Sequence, residues 1–315
     1  MLNNIYLPEG TIISTSENRE YLSSICGLER AMNDGIILEA IATRCDSNFT
    51  LSVDLGTYTG YITRDEAVLT FDGEPVKDIA VITRVGKPVC FKVISIVRND
   101  DGECEIFLSR RSAQQECLNN KLAKLVPGDV IPAKITHLEQ FGAFVDIGCG
   151  IVSLLSIDCI SVSRISHPKD RFSVGNRISC IVKKNDENGK RIYVTHKELL
   201  GTWEENVESF AIGQTVTGIV RSIEEYGIFV ELKPNLAGLA EFKDGITVGQ
   251  SVAVFIKNII PERMKIKLVL IDTYGAENPT EKYELKYYID TDTKHITKWV
   301  YSPTESNKVI ETAFE

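Results

Sequence analysis

GDVIPAKITHLEQFGAFVDIG, residues 128–148, decides the fold of this chain, because a second stretch repeats its pattern. Residues 213–232 read GQTVTGIVRSIEEYGIFVEL. In each stretch a glycine is followed thirteen residues later by an aromatic–Gly–x–Phe motif, which runs into valine, an acidic residue and an aliphatic residue. Internal repetition of this kind indicates two copies of one structural unit.

The two copies also agree in their second halves. VGNRISCIVK at 174–183 matches VGQSVAVFIK at 248–257, and each copy closes with an apolar, charged segment. The earlier copy contains an additional loop, SVSRISHPKD, between these landmarks. Within this inserted loop we expect His167 to cap a turn rather than to contact a ligand.

A third and weaker copy lies upstream. It comprises residues 34–56, then TGYI at 59–62, VGKPVCFKVISI at 85–96 and CEIFLSRR at 104–111. The order and spacing of the segments fit the other two copies, although several landmark residues differ. We therefore predict the same fold with an altered surface.

The segments of all three copies are typical of β-strands. They alternate in polarity, are rich in valine and isoleucine, and end at glycine, aspartate or asparagine. Five strands in about 75 residues fit a closed barrel of the oligonucleotide-binding (OB) kind. The predicted fold class is all-β with short connecting helices, in tandem five-stranded OB-fold barrels. The predicted division is an N-terminal arm and helix (1–33), a degenerate barrel (34–111), a linker helix (112–124), a barrel (125–200), a linker helix (201–211), a barrel (212–274) and a C-terminal β-appendage (275–315).

An N-terminal helix over 17–33 is predicted from an apolar stripe at helical spacing. Ser14 and Glu17 offer a capping box at its start, and Gly35 is expected to end it. The C-terminal forty residues differ in character, with three strand-like runs and an expected turn at 290–293. We expect a small appendage on the third barrel. The alternative is a partner-docking platform formed by Tyr287, Tyr288, Trp299 and Tyr301.

Composition excludes several classes of protein. The chain has 315 residues, 43% of them hydrophobic, which is ample for packed cores, and no apolar run approaches a membrane span. We see no secretion signal at the start. Eight cysteines without a Cys-x-x-Cys spacing, together with four histidines, do not indicate a metal site and fit reduced thiols in the cytoplasm. No nucleotide-binding loop or nucleophile motif stands out, so we expect neither an enzyme nor a cofactor.

The charge of the chain is uneven. The formal net charge is −9, which argues against a protein that simply coats phosphate. Residues 125–202, however, carry 10 Lys and Arg against 8 Asp and Glu. Binding to an anionic polymer is set by one local face, so the overall sign does not exclude it.

The run ITHLEQFGAFVDIG, followed by SHPKDRFSVGNRISCIV and KRIYVTHKELLG, resembles the S-one RNA-binding repeat, named for the largest small-subunit ribosomal protein of bacteria. The resemblance is strong over 125–200, good over 210–272 and weak over 34–111. It is closest to short, few-repeat relatives of that protein in Gram-positive anaerobes. It implies a protein that binds single-stranded RNA, messenger RNA included, in translation, with the small ribosomal subunit as a further partner.

The resemblance also implies a binding face. The family places there two aromatics, a histidine, and an Asp–Arg pair near the last strand. In the second repeat the matching residues are Phe141, Phe144, Asp186 and Arg191, with Ser156 at the histidine position. The pair can offer stacking surfaces to unpaired bases, provided that Gly142 bends the chain so that both rings face one side.

The other repeats match less completely. The third holds Tyr226 and Phe229, with Glu241 at the histidine position and Lys265 at the arginine position. In the first repeat only Phe49 remains of the aromatic pair; Ser52, Thr63 and Glu105 replace the other landmarks. The full set of predicted RNA-binding residues is Phe141, Phe144, Lys134, His137, Ser156, Asp186, Lys190, Arg191, Tyr226, Phe229, Arg221, Lys265 and Lys267.

Two alternatives stay open at this point. An aromatic pair in a barrel is more often core than ligand platform, and a basic cluster is often only a solvated face. A protein-binding adaptor or scaffold, or an RNA-binding regulator outside the ribosome, also fits the acidic total, the altered first repeat and the aromatic tail.

Overall fold

The computed structural model describes residues 6–71, 73–99, 104–186, 189–274, 285–290 and 292–315. It contains three closed five-stranded barrels in tandem, which confirms the predicted fold class. The first barrel comprises β1 (Leu38–Cys45), β2 (Leu51–Asp54), β3 (Thr59–Ile62), β4 (Pro88–Arg98) and β5 (Cys104–Ser109). The second comprises β6 (Val130–Glu139), β7 (Gly142–Gly148), β8 (Ile151–Ser156), β9 (Arg177–Asp186) and β10 (Arg191–Thr195). The third comprises β11 (Thr215–Glu224), β12 (Gly227–Lys233), β13 (Leu236–Ala240), β14 (Ser251–Ile260) and β15 (Lys265–Thr273).

The three barrels share one topology. In each, the first strand pairs antiparallel with the second and fourth, and the third strand pairs parallel with the fifth. Alternation along the strands creates each core: on β12, Ile228, Val230 and Leu232 are buried, while Phe229 points outward. Burial of such a side chain stabilises the fold by about 1.5–3 kcal/mol. The upstream copy is therefore a complete barrel despite its weaker sequence match.

The helices connect or cover the barrels. The predicted helix over 17–33 is wrong in one respect, because it is broken at Ser23 and Ser24; Ser24 accepts from the N–H of Gly27 (3.1 Å) and begins a second helix. The first helix is capped by Thr15 and not by Ser14, whereas Gly35 ends the second as predicted, at φ 65°. The helices are α1 (Ser16–Leu22), α2 (Ile25–Asp34), α3 (Asp78–Ile82), α4 (Arg110–Asn120) and α5 (Trp203–Val207).

The N-terminal arm lies between the first two barrels and is held by a buried ion pair. Both oxygens of Glu9 accept from Arg110, at 2.6 and 3.0 Å, and both side chains are almost fully buried. The backbone N–H of Glu9 donates to Asp146 of β7 (2.7 Å). Burial alone would raise the pKa of Glu9, but the Arg110 charge and its hydrogen bonds hold it below the usual range. The first two barrels are thus coupled through a paired carboxylate.

The inserted loop of the second barrel contacts the third barrel. Arg171 Nη2 lies 2.5 Å from Glu231 Oε1, and the backbone N–H of Val162 donates to Asn235 Oδ1 (2.9 Å). At the start of a short helix in this loop, His167 accepts from the N–H of Lys169, which confirms that it is a cap. The insertion therefore joins two neighbouring barrels.

The C-terminal tail packs along the second and third barrels. Within its described residues, strands β16 (Lys298–Val300) and β17 (Glu311–Ala313) pair with each other. Trp299 and Tyr301 are buried in the core of the third barrel, and the hydroxyl of Tyr287 accepts from the N–H of Ser179 in the second (3.0 Å). These three rings pack against the barrels of the same chain. This supports the prediction of a packed appendage over the alternative of a partner-docking platform. At the predicted turn, Thr293 donates to the carbonyl of Asp290 (3.0 Å), and residue 291 lies outside the described residues.

All eight cysteines lie in the described part of the chain and are unpaired. Burial raises the pKa of Cys90 and of Cys180 above the usual thiol range, with a further contribution from the Cys149 thiol at Cys90 and from the Glu198 charge at Cys180. Among the described residues, no helix is long and apolar enough to cross a membrane.

Candidate nucleic-acid interface

The aromatic pair of the second barrel lies where β6 turns into β7. Phe141 is in the turn and is 56% exposed, and Phe144 is half-buried on β7. Their ring centroids are 6.0 Å apart and the rings are perpendicular. Gly142 allows this arrangement because a Cβ there would lie 2.5 Å from the carbonyl oxygen of Leu155 on β8. The strands therefore approach closely and both rings reach one surface.

Phe144 belongs to a line of outward-facing side chains that crosses the barrel, and Phe141 lies beside this line. Direct cross-strand pairs join His137 to Phe144, Phe144 to Leu154, Leu154 to Tyr193, and Tyr193 to Lys184. The imidazole of His137 stacks on Phe144 at 6.3 Å. We call these five residues the aromatic row. Its exposed members are His137, Tyr193 and Lys184, while Phe144 and Leu154 are half-buried.

Charged groups lie at one end of the aromatic row. Asp186 and Arg191 form a cross-strand pair, and Lys184 Nζ lies 2.7 Å from Asp186 Oδ2. The hydrogen bond to Asp186 raises the pKa of Lys184. Lys190 lies above the ring of Phe71 at 5.5 Å. Flat rings beside exposed cations match the two parts of a nucleic-acid strand, since bases stack on rings and phosphates pair with cations.

Tyr193 and Leu154 are absent from the predicted set of binding residues, whereas Lys183 and Lys184, beside Lys190 and Arg191, are predicted from the sequence to neutralise phosphates. A signal for Tyr193 exists in the sequence, because alternation along β10 places it on the same face as Arg191. For Leu154 the signal is weaker, since an aliphatic residue on a strand is expected in the core. Its position becomes clear only from its pairing with Phe144.

The third barrel carries a similar surface. Tyr226 is 70% exposed, and its ring is perpendicular to that of Phe229 at 6.1 Å. The corresponding line of cross-strand pairs is Ser222, Phe229, Leu239, Lys267 and Asn258. Lys267 thus occupies the position of Tyr193, and Lys265, which is exposed, lies two residues away on the same strand. This face therefore combines one aromatic pair with two exposed lysines.

Two predicted residues lie elsewhere and contact the protein itself. Lys134 donates to the backbone carbonyl of Glu9 (2.8 Å) and so holds the N-terminal arm. Arg221 is nearly buried, bonds Glu231, and lies 3.5 Å from Asp170 of the inserted loop. Their side chains are engaged in these internal contacts, so neither is part of the surface proposed below.

Ser156, at the histidine position, lies beside the aromatic turn. Its backbone pairs with Gly142, and its hydroxyl faces the thiol of Cys159 at 3.9 Å. A hydroxyl there can bond a ribose or a phosphate but cannot stack. In the first barrel, Phe49 has φ 60° and the guanidinium of Arg64 lies over its ring at 5.2 Å. That ring is therefore covered.

Comparison with known proteins gives a family match over the second barrel. Residues 124–197 match the S1 RNA binding domain family. Over 257 residues, 76% of this chain, the sequence is 28% identical to small ribosomal subunit protein bS1 of Rickettsia conorii. The match covers 43% of that relative, so the chain spans less than half of its length.

The match to bS1 of Staphylococcus aureus is 27% identical over 294 residues and covers 86% of this chain and 71% of that protein. A solved structure of a multidomain protein with nucleic acid binding domains from Streptococcus pneumoniae covers 75% of this chain and 73% of its own, at 13% identity and a TM-score of 0.24.

Proposed function

We propose that this protein binds single-stranded RNA, messenger RNA included, through its second and third barrels, and the match of residues 124–197 to the S1 RNA binding domain family supports this. The observation that carries the proposal is the aromatic row of the second barrel, where His137, Phe144 and Tyr193 face outward beside exposed cations. Unpaired bases stack on such rings whatever their identity, so little sequence preference is expected.

The relatives named bS1 support a role in translation at the small ribosomal subunit. We propose a cytoplasmic protein that holds RNA without a catalytic step or a cofactor. A protein-binding adaptor is the weaker candidate, because the tail aromatics that favoured it pack against the second and third barrels.

The contacts divide into two types. Phe141, Phe144, Tyr226 and Phe229 would stack on bases, at about 4–16 nucleotides for each barrel. Lys184, Lys190, Arg191, Lys265 and Lys267 would pair with phosphates. The net charge of −9 limits non-specific attraction, so affinity would depend on these local contacts.

The test is fluorescence anisotropy of a labelled, unstructured RNA titrated with the full chain at several salt concentrations. We expect the logarithm of the association constant to fall linearly with the logarithm of salt concentration, at about −0.7 for each phosphate neutralised and about −2 to −4 in total. The same RNA annealed to its complement should bind more weakly, because its bases are no longer free to stack.

Absence of binding at low salt would exclude the RNA function. Binding that is insensitive to salt, or equal for the duplex, would exclude the mode of binding proposed here. In either case partners that survive ribonuclease treatment in a pull-down would favour the adaptor.

A further inference from the structure

The first barrel carries an aromatic pair of its own, at positions different from those of the other two barrels. Its line of cross-strand pairs runs from Arg44 to Ser52, Tyr61, Phe107 and Ser95. This line crosses the first, second, third, fifth and fourth strands of its barrel, in the same order as the aromatic row crosses those of the second barrel. Ser52 occupies the position of Phe144, which is why the aromatic–Gly–x–Phe motif is lost.

The rings of the first barrel lie further across the same face, on β3 and β5. Tyr61 occupies the position of Leu154, and Phe107 that of Tyr193. Their centroids are 6.4 Å apart, with an angle of 47° between the rings. Both are half-buried, while their strand neighbours Ile62 and Ile106 are fully buried. Two rings on one side of the β3–β5 pair, with the core on the other, form a platform and not a part of the core.

The charges around this pair differ from those in the second barrel. Arg44 is exposed and occupies the position of His137. Glu105, also exposed, occupies the position of Arg191, and Val97 that of Asp186. Among these described neighbours, one cation, one carboxylate and the apolar Val97 surround the rings, which suits the flat faces of bases better than the phosphate backbone.

We propose that Tyr61 and Phe107 form a third base-stacking site, which binds unpaired bases of the same RNA strand that the second and third barrels hold. This inference rests on the proposed function. It implies that the first barrel adds affinity only for an RNA long enough to reach it, and adds little to the salt dependence, because the equivalent of Arg191 is an acid.

The test compares two labelled, unstructured RNAs, of about 8 and about 30 nucleotides, chosen to be shorter and longer than the reach of one barrel. In the full chain, Tyr61→Leu/Phe107→Leu should weaken binding of the long RNA at least about fivefold, from the stacking lost. Binding of the short RNA should stay within about twofold of wild type. Tyr61→Phe/Phe107→Tyr keeps both rings and should bind both RNAs like wild type.

Ile79→Ala/Ile82→Ala serves as the matched control, since both residues are exposed apolar side chains of the same barrel. If the wild-type chain binds RNA and the leucine variant binds the long RNA equally well, the third stacking site is excluded while the proposed function stands. Equal losses for both RNAs, or a loss in the ring-preserving variant, would also exclude this third site. Failure of the wild-type chain to bind either RNA would instead remove the proposed function.

Discussion

The double variant Phe141→Ala/Phe144→Ala is expected to weaken binding of unstructured RNA by at least about 30-fold. Each ring lost removes about 1–3 kcal/mol of stacking, and a factor of ten in affinity corresponds to about 1.4 kcal/mol. Anisotropy titration of the full chain with an 8-nucleotide RNA measures the effect, with and without the double variant in a Tyr226→Ala/Phe229→Ala background, so that the third barrel does not bind the probe. A short RNA limits the compensation that additional barrels provide through effective concentration.

Val174→Ala is the matched control for this variant, because Val174 is an exposed apolar residue of the same barrel outside the aromatic row. It should bind RNA like wild type. Circular dichroism should show that the double variant keeps its strands, since Phe141 is mostly exposed and Phe144 half-buried. A folded double variant with wild-type affinity would contradict the assignment of the second barrel.

The second large effect concerns stability. Arg110→Met leaves the buried carboxylate of Glu9 without its two closest charged hydrogen bonds, and removing one partner of a buried pair typically costs about 3–5 kcal/mol. We expect a lower melting temperature and a loss of hydrogen-exchange protection at the arm amides that Glu39 holds, those of Gly10, Ile12 and Ile13.

Arg30→Met is the control, because its pair with Glu20 is exposed and such pairs contribute about 0–1 kcal/mol. Glu9→Gln in the Arg110→Met background should restore part of the stability, since the buried carboxylate charge that lost Arg110 is then removed. If Arg110→Met cost no more than Arg30→Met, the ion pair would not couple the first two barrels.

Much of the fold follows from the sequence because its signal is local. Alternation along a strand and a glycine at a turn survive even where the surface has changed, so the first barrel is recognisable despite Ser52 and Glu105 at two landmark positions. The break between α1 and α2 is less predictable. The stripe of the expected helix continues through Ser23 and Ser24, and either serine can stay in a helix or cap one.

The binding surface is predictable only in part. Phe141 with Phe144 and Tyr226 with Phe229 follow from one short motif, and the structure places each pair side by side. The internal contacts of Lys134 and Arg221 cannot be predicted from the sequence, because an outward-facing cation on a strand can contact either solvent or a neighbouring element. Which one it meets depends on the N-terminal arm and the inserted loop, and their positions are set by tertiary contacts.

The most direct test of the central claim is photochemical cross-linking of the full chain to an unstructured RNA containing 4-thiouridine, with the cross-linked residues located by mass spectrometry. We predict cross-links in the turn at Phe141, at Phe144 and at Tyr193, with further ones at Tyr226. Cross-links confined to the opposite side of the second barrel, around Lys134 and Arg177, with none in the aromatic row, would contradict the account.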